Sequence, residues 1–128
     1  MVDDDRIDTI LTRMYLEMMG IDKENIVTVN NSHEAVVRAQ QELFNVILMD
    51  IRLPEMDGIE VAQKIKAHYA TSPDLKKIPK IIAYTANQFI GKDKEAQEVF
   101  DDMMIKAIPQ TEFTQRILAI LNTIDMQN

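Results

Sequence analysis

The chain reads as an α/β domain, a single doubly wound parallel sheet covered by helices, and three observations carry that reading. Short apolar runs of strand length alternate with segments whose apolar residues recur at helical spacing, along the whole of the 128 residues. The run Val46, Ile47, Leu48, Met49 is apolar throughout, as suits a strand buried on both faces of a parallel sheet. Polar residues gather just beyond the strand ends: Asp3 and Asp4, Asp50, Thr85 and Lys106. In open α/β sheets, the crevice outside the carboxyl ends of the strands is where ligands bind.

Taken in order, Asp5 is a plausible N-cap, and Ile7, Ile10, Leu11, Met14 and Met18 repeat at helical spacing until Gly20 stops the helix, giving a first amphipathic helix from about Arg6 to Met19. Ile26 to Val29 reads as a short strand. Ser32 is the expected N-cap of a helix carrying Ala35, Val36, Ala39 and Leu43. The strand Val46 to Asp50 follows, then a loop punctuated by Pro54 and Gly58. Ile59, Val61, Ala62 and Ile65 give a helical face running to about Ala70. Thr71 to Pro79 is a polar connection, and Ile81 to Tyr84 is a strand ending on Thr85 and Ala86. A polar helix is expected from Lys92 to Phe100 and a short strand from Met103 to Ile105, ending on Lys106. A last helix starts near Thr111 with Phe113, Ile117, Leu118 and Leu121 inward.

Composition narrows the class. A chain of 128 residues fits one domain, 1–128, large enough to bury roughly two thirds of its unfolded surface without staples. No apolar run approaches the length of about 18 residues needed to span a membrane, so membrane insertion is not expected. The N-terminus lacks the charged and apolar regions of a signal peptide. The absence of cysteine excludes disulfides and is compatible with a reducing cytoplasm. A net charge of -7 argues against direct nucleic-acid binding, since phosphate contact needs a basic surface. His33 and His68 have no partner at ligand spacing and read as solvent-facing. The nine methionines read as core filler, with Met14, Met18, Met19, Met103 and Met104 available to soften a partner surface.

The chemistry lies in the joint placement of the strand-end residues. Taken singly, Asp50 caps a turn, Thr85 is a strand-end hydroxyl and Lys106 a surface charge. Together, carboxylates with backbone carbonyls and waters make an oxygen site for a hard cation such as Mg²⁺. A lysine and a hydroxyl beside that cation suit a phosphoryl group, whose transfer is mostly positioning and charge neutralisation. An aspartate can itself be the nucleophile, forming an acyl phosphate.

At this point the sequence resembles the receiver domain of two-component response regulators, across almost the whole chain. The matching stretches are V-D-D-D at Val2 to Asp5, M-D-I-R-L-P-E-M-D-G at Met49 to Gly58, I-I-A-Y-T-A-N at Ile81 to Asn87 and D-D-M-M-I-K at Asp101 to Lys106. The resemblance implies a flavodoxin-like fold: a five-stranded parallel sheet of order 2-1-3-4-5 flanked by five helices, here with an unusually short first strand. It implies that Asp50 is the phosphoacceptor, that Asp3 and Asp4 hold Mg²⁺ directly or through water, and that Arg52 supplies a backbone carbonyl to the metal. Thr85 is then the switch hydroxyl, Ala86 offers its backbone N–H to the phosphoryl group, and Lys106 pairs with that group. The implied partners are a histidine kinase or histidine phosphotransfer protein upstream and a protein downstream, in the cytoplasm. With no residues left after the final helix for an output domain, output is expected through protein contact.

Three departures from the family pattern stand out. Only Met1 and Val2 precede Asp3, where receivers carry a full apolar strand in the middle of the sheet. Either upstream residues lie outside this numbering, or the first strand is stunted and the sheet weakened or completed by another chain. Ala107 follows Lys106 where the family has proline in a cis peptide. A cis bond before alanine costs about 2.5 to 4 kcal/mol, against roughly 0.5 to 1 before proline, so this peptide is expected to be trans or strained. Met103 stands where the family has its switch aromatic. Two other classes remain open. One is a pseudo-receiver, an interaction module not regulated by phosphorylation. The other is a small Mg²⁺-dependent phosphohydrolase, against which stands Arg52, two residues after Asp50, where a second acid would be required.

Overall fold

The computed structural model describes residues 1–70 and 78–126, with side chains to residue 123. The polar connection expected from Thr71 lies mostly outside the described residues. Five helices, α1 (Arg6–Met18), α2 (Ser32–Gln41), α3 (Gly58–Tyr69), α4 (Lys94–Val99) and α5 (Gln110–Met126), surround the strands β1 (Val46–Met49), β2 (Lys80–Thr85) and β3 (Asp102–Ile105). The strands are parallel in the order β1-β2-β3, with Met49 opposite Ala83 and Thr85 opposite Ile105. No helix among the described residues is long and apolar enough to cross a membrane.

The two strand positions that would complete a 2-1-3-4-5 sheet are reduced to single bridges. Val2 pairs in parallel with Val29 on one side and with Met49 on the other. Around it, Val2 N donates to Leu48 O at 2.8 Å, Asp50 N to Val2 O at 2.9 Å, Val29 N to Met1 O at 3.0 Å and Asp3 N to Val29 O at 3.1 Å. The sheet thus has the expected order, with Val2 in the place of the first strand. The expected strand Ile26 to Val29 is corrected to a single bridged residue, Val29, preceded by a 3-10 turn at Lys23–Asn25.

Side-chain alternation along the strands sends successive residues to opposite faces, and the two faces are covered by different helices. Ile47, Met49, Ile81 and Ala83 pack with Ala35 and Ala39 of α2, Ile59 and Ile65 of α3 and Ala96 and Val99 of α4. Leu48, Ile82, Tyr84 and Met104 pack on the other face with Leu16 of α1 and Phe113 and Ile117 of α5. Each strand is therefore apolar in its interior, with Lys80, Thr85 and Asp102 only at strand ends, and the unbroken run at Val46 follows from having helices on both sides.

Local signals set most helix ends. Asp5 caps α1, its carboxylate accepting from Ile7 N and Asp8 N, and Gly20 at φ 93 ends that segment in the left-handed region. The cap of α2 is Asn31, which accepts from Glu34 N, rather than Ser32. Ser32 is instead fully buried, with its hydroxyl 2.6 Å from Met56 O and 3.0 Å from Pro54 O, tying α2 to the loop after β1. The polar helix expected from Lys92 is shorter, α4 being preceded by a 3-10 turn at Ile90–Lys92 and capped by Asp93.

Several expected core residues face outward. Ile7, Ile10, Leu11, Met14 and Met18 of α1 are between 45% and 77% exposed, while Leu16 and Thr12 carry the buried face. The spacing of the apolar residues marked a helix face correctly, but that face is not the one turned to the sheet. Leu43 lies beyond the end of α2 and is exposed, and Leu118 of α5 is exposed while Phe113 and Ile117 are buried. Met104, considered for a partner surface, is fully buried in the core, whereas Met14 and Met18 are exposed. His33 and His68 are both exposed, as expected.

Candidate functional site

Three segments deliver side chains to one edge of the sheet. Asp3 leaves the bridge at Val2, Asp50 follows the end of β1, and Lys106 follows the end of β3. Asp50 is buried and its backbone N–H is held by Val2 O, which binds the first two segments together at the point where the acids emerge. Lys106 N donates to Thr85 O at 2.8 Å, so the lysine leaves the sheet beside the end of β2.

Lys106 Nζ is the hub. It lies 2.9 Å from Asp3 Oδ2, 2.9 Å from Asp50 Oδ2 and 2.8 Å from Asp8 Oδ2. An ammonium has three N–H donors, and here each faces a carboxylate. Burial alone would lower the Lys106 pKa, but the hydrogen bonds it donates to Asp3, Asp8 and Asp50 and the charge of Asp50 raise it well above the usual lysine range. The Asp3 pKa is raised, chiefly because burial penalises its charged form; Lys106 and the N–H of Asp5, 2.9 Å away, oppose that rise. Three carboxylates, Asp3, Asp8 and Asp50, contact one ammonium and Asp4 stands beside two of them, which leaves an excess of negative charge.

That excess suits a divalent cation. Asp3, Asp4 and Asp50 offer carboxylate oxygens within 4.8 Å of one another, with Asp3 and Asp50 buried and Asp4 exposed at the mouth. Oxygen donors of this kind, open on one side to water, fit Mg²⁺, which keeps several waters in its shell. The backbone N–H of Arg52 reaches Asp50 Oδ1 at 3.4 Å, placing the turn after β1 alongside the same carboxylate.

The remaining expected residues are close in the fold but differ in surroundings. Thr85 is 2% exposed at the end of β2, and its hydroxyl accepts from Asn87 N at 3.3 Å. Ala86, next along, is exposed. Met103 sits in β3 opposite Ala83, partly buried, where an aromatic was noted as missing. The peptide after Lys106 is trans, and Ala107 takes φ 71, a left-handed conformation unusual for a residue with a Cβ. Of the two outcomes expected for that peptide, the structure thus has the trans bond, with the turn made by Ala107.

One residue of the site escaped the reading of the sequence, and another was read there only as a turn former. Asp8 lies in the first turn of α1, three residues beyond the Asp5 cap, where an acid is already favoured by the helix dipole and so draws no attention in the sequence. Gly58 has a stricter reason to be glycine than turn formation: a Cβ there would lie 2.1 Å from Asp50 O. The glycine lets the start of α3 close against the backbone of the acid-bearing turn.

The geometry, fold and relatives agree on a class. The profile of the response regulator receiver domain family matches residues 1–118. The chain is 31% identical over 118 residues to the sensor protein GacS of Pseudomonas syringae, covering 91% of this chain and 12% of that protein. It is 35% identical over 123 residues to the transcriptional regulatory protein SrrA of Staphylococcus aureus, covering 93% of this chain and 45% of that protein. The chain therefore spans less than half the length of these curated relatives. Among solved structures, the receiver domain of a sensor histidine kinase from Pseudomonas aeruginosa, with a magnesium ion coordinated in its active-site cleft, aligns at TM-score 0.75 and 27% identity, covering 97% of this chain and 93% of that one. A CheY-like receiver domain from Methanospirillum hungatei aligns at TM-score 0.80 and 22% identity, covering 99% and 94%, and shares the fold. The chain belongs to the receiver domain family of two-component signalling.

Proposed function

We propose that this receiver is phosphorylated on Asp50 by a phosphohistidine of a histidine kinase or histidine phosphotransfer protein. The observation that carries the reading is the 2.9 Å contact between Asp50 Oδ2 and Lys106 Nζ within a cluster of acids open to solvent at Asp4. An Asp50 carboxylate oxygen attacks phosphorus as the phosphorus–nitrogen bond to the donor histidine breaks; the bonding pair stays on that nitrogen, and the donor ring, protonated on its other nitrogen, leaves as a neutral imidazole with an acyl phosphate on Asp50. Lys106 neutralises charge on the phosphoryl oxygens, the Thr85 hydroxyl donates to one of them and the Ala86 N–H to another. Asp3, Asp4, Asp50 and the Arg52 carbonyl would hold Mg²⁺. When bound, the ion offsets negative charge between the acids and the incoming phosphoryl group.

Phosphorylation then biases the surface formed by β2, β3, α4 and α5 between two arrangements that a downstream protein distinguishes. The partly buried Met103 makes this coupling independent of an aromatic rotamer change. Residence in the cytoplasm belongs to the same reading.

The test is incubation with Mg²⁺ and acetyl phosphate, read by mass spectrometry. Uptake of one phosphoryl group by the wild type and none by Asp50→Asn is the expected result. No uptake together with no beryllofluoride binding would overturn it. That outcome would favour the second reading, an interaction module without phosphorylation, which draws on the single-residue bridging at Val2 and the left-handed Ala107. Turnover of phosphoesters added from outside would instead identify a phosphohydrolase.

A further inference from the structure

We infer that Asp8 is a positioning residue for Lys106, an anchor from α1 that keeps the ammonium at the phosphoryl end of the cleft; this rests on the phosphoacceptor reading above. Three carboxylates hold the ammonium, and in that reading two of them have a second role. Asp3 belongs to the cation and Asp50 becomes the acyl phosphate, its former contact with Lys106 passing to a phosphoryl oxygen. Asp8, at 2.8 Å, is the acid left to hold the lysine side chain as the other two change partners. Its own backbone N–H donates to the Asp5 cap at 3.1 Å, so it stands on the rigid first turn of α1 rather than on a loop.

The main chain explains why such an anchor is required here. Lys106 N is fixed to Thr85 O, but the next residue turns away through a left-handed alanine at φ 71. That conformation is strained for a residue with a Cβ and lacks the fixed ring of a proline. The lysine stem is long and rotamer-rich, and a charge-assisted hydrogen bond from a second element restricts it. Asp8 is partly exposed, 37% by side chain, so its replacement leaves the core untouched.

The experiment uses the full chain as wild type, Asp8→Ala and Asp8→Glu, with two measurements. The first is the proton–nitrogen NMR signal of the Lys106 ammonium at saturating Mg²⁺, where Asp3 and Asp50 are drawn to the ion; it is visible only when the group is ordered and protected. It is expected in the wild type, lost in Asp8→Ala and regained in Asp8→Glu, with the thermal midpoint nearly unchanged throughout. The second is the rate of phosphorylation of Asp50 by acetyl phosphate at saturating Mg²⁺, expected to fall on the order of tenfold in Asp8→Ala and to recover in Asp8→Glu, the effect of losing one charge-assisted positioning bond. A signal that survives in Asp8→Ala, or phosphorylation as fast as in the wild type, overturns the inference. Failure of the wild type itself to take up phosphate overturns the phosphoacceptor reading instead, and the ammonium signal still decides whether Asp8 anchors Lys106.

Discussion

The two halves of the sheet are built to different standards. From β1 to β3 the strands run in continuous register, four residues paired at each interface. On the other side of β1, one residue, Val2, serves as a whole strand, bridging Val29 and Met49. Yet the thin half carries Asp3 and Asp4 and the thick half carries Thr85 and Lys106. A cooperative ladder positions the hydroxyl and the lysine through many shared hydrogen bonds. The acids depend instead on four backbone bonds around Val2 and on the ion pairs that Lys106 extends across the cleft. The lysine therefore also ties the weaker half to the stronger one.

Substitutions on each side separate these roles. Ile82 is fully buried in the centre of the ladder. Ile82→Ala is expected to lower unfolding stability by about 2–5 kcal/mol in denaturant titration, while Mg²⁺ affinity of the folded protein stays the same. Val2→Ala removes less buried surface and is expected to cost about 1.5 kcal/mol, yet to weaken Mg²⁺ binding severalfold by isothermal titration, because Asp3 and Asp50 both take their backbone position from this bridge. Equal effects on stability and metal affinity in the two variants would show that the halves do not differ in this way.

The smallest effect concerns charge. The folded Asp3 pKa lies above its usual value, so the proton is held more tightly in the folded chain than in the unfolded one. The sign follows from linkage: the benefit is full below the usual aspartate pKa and is lost as pH rises through the folded value, so crowding of ionised acids weighs on the fold at neutral pH. Mg²⁺ is expected to relieve it, raising the thermal midpoint by about 4 °C near pH 7, about 1 kcal/mol for a chain of this size, with little effect near pH 4. Equal shifts at both pH values would place the stabilisation elsewhere than in the carboxylates.

Much of the site was legible because it is written at strand ends. An apolar run that stops on Asp50, another that stops on Thr85 and a third on Lys106 need only the rule that parallel strands align their carboxyl ends. Asp8 was missed because its role comes from the start of α1 meeting Lys106, 98 residues away along the chain. The capping of α2 was misassigned between neighbours: Asn31 and Ser32 are both good caps, and what decides is that Ser32 is drawn inward to the carbonyls of Pro54 and Met56.

Alternation of apolar runs and helical periodicity, together with four short motifs in order, determined by sequence alone the doubly wound parallel architecture, the family and the cluster of acids, hydroxyl and lysine. These are properties of spacing, and spacing survives any detail of packing. The tertiary structure decided which face of α1 is buried, since Leu16 and Thr12 rather than the more numerous apolar residues meet the sheet. It also decided that two strands shrink to bridges, that the peptide after Lys106 is trans with a left-handed Ala107, and that Asp8 joins the lysine. Each of these depends on how distant segments meet, which a periodic pattern read along one segment does not contain.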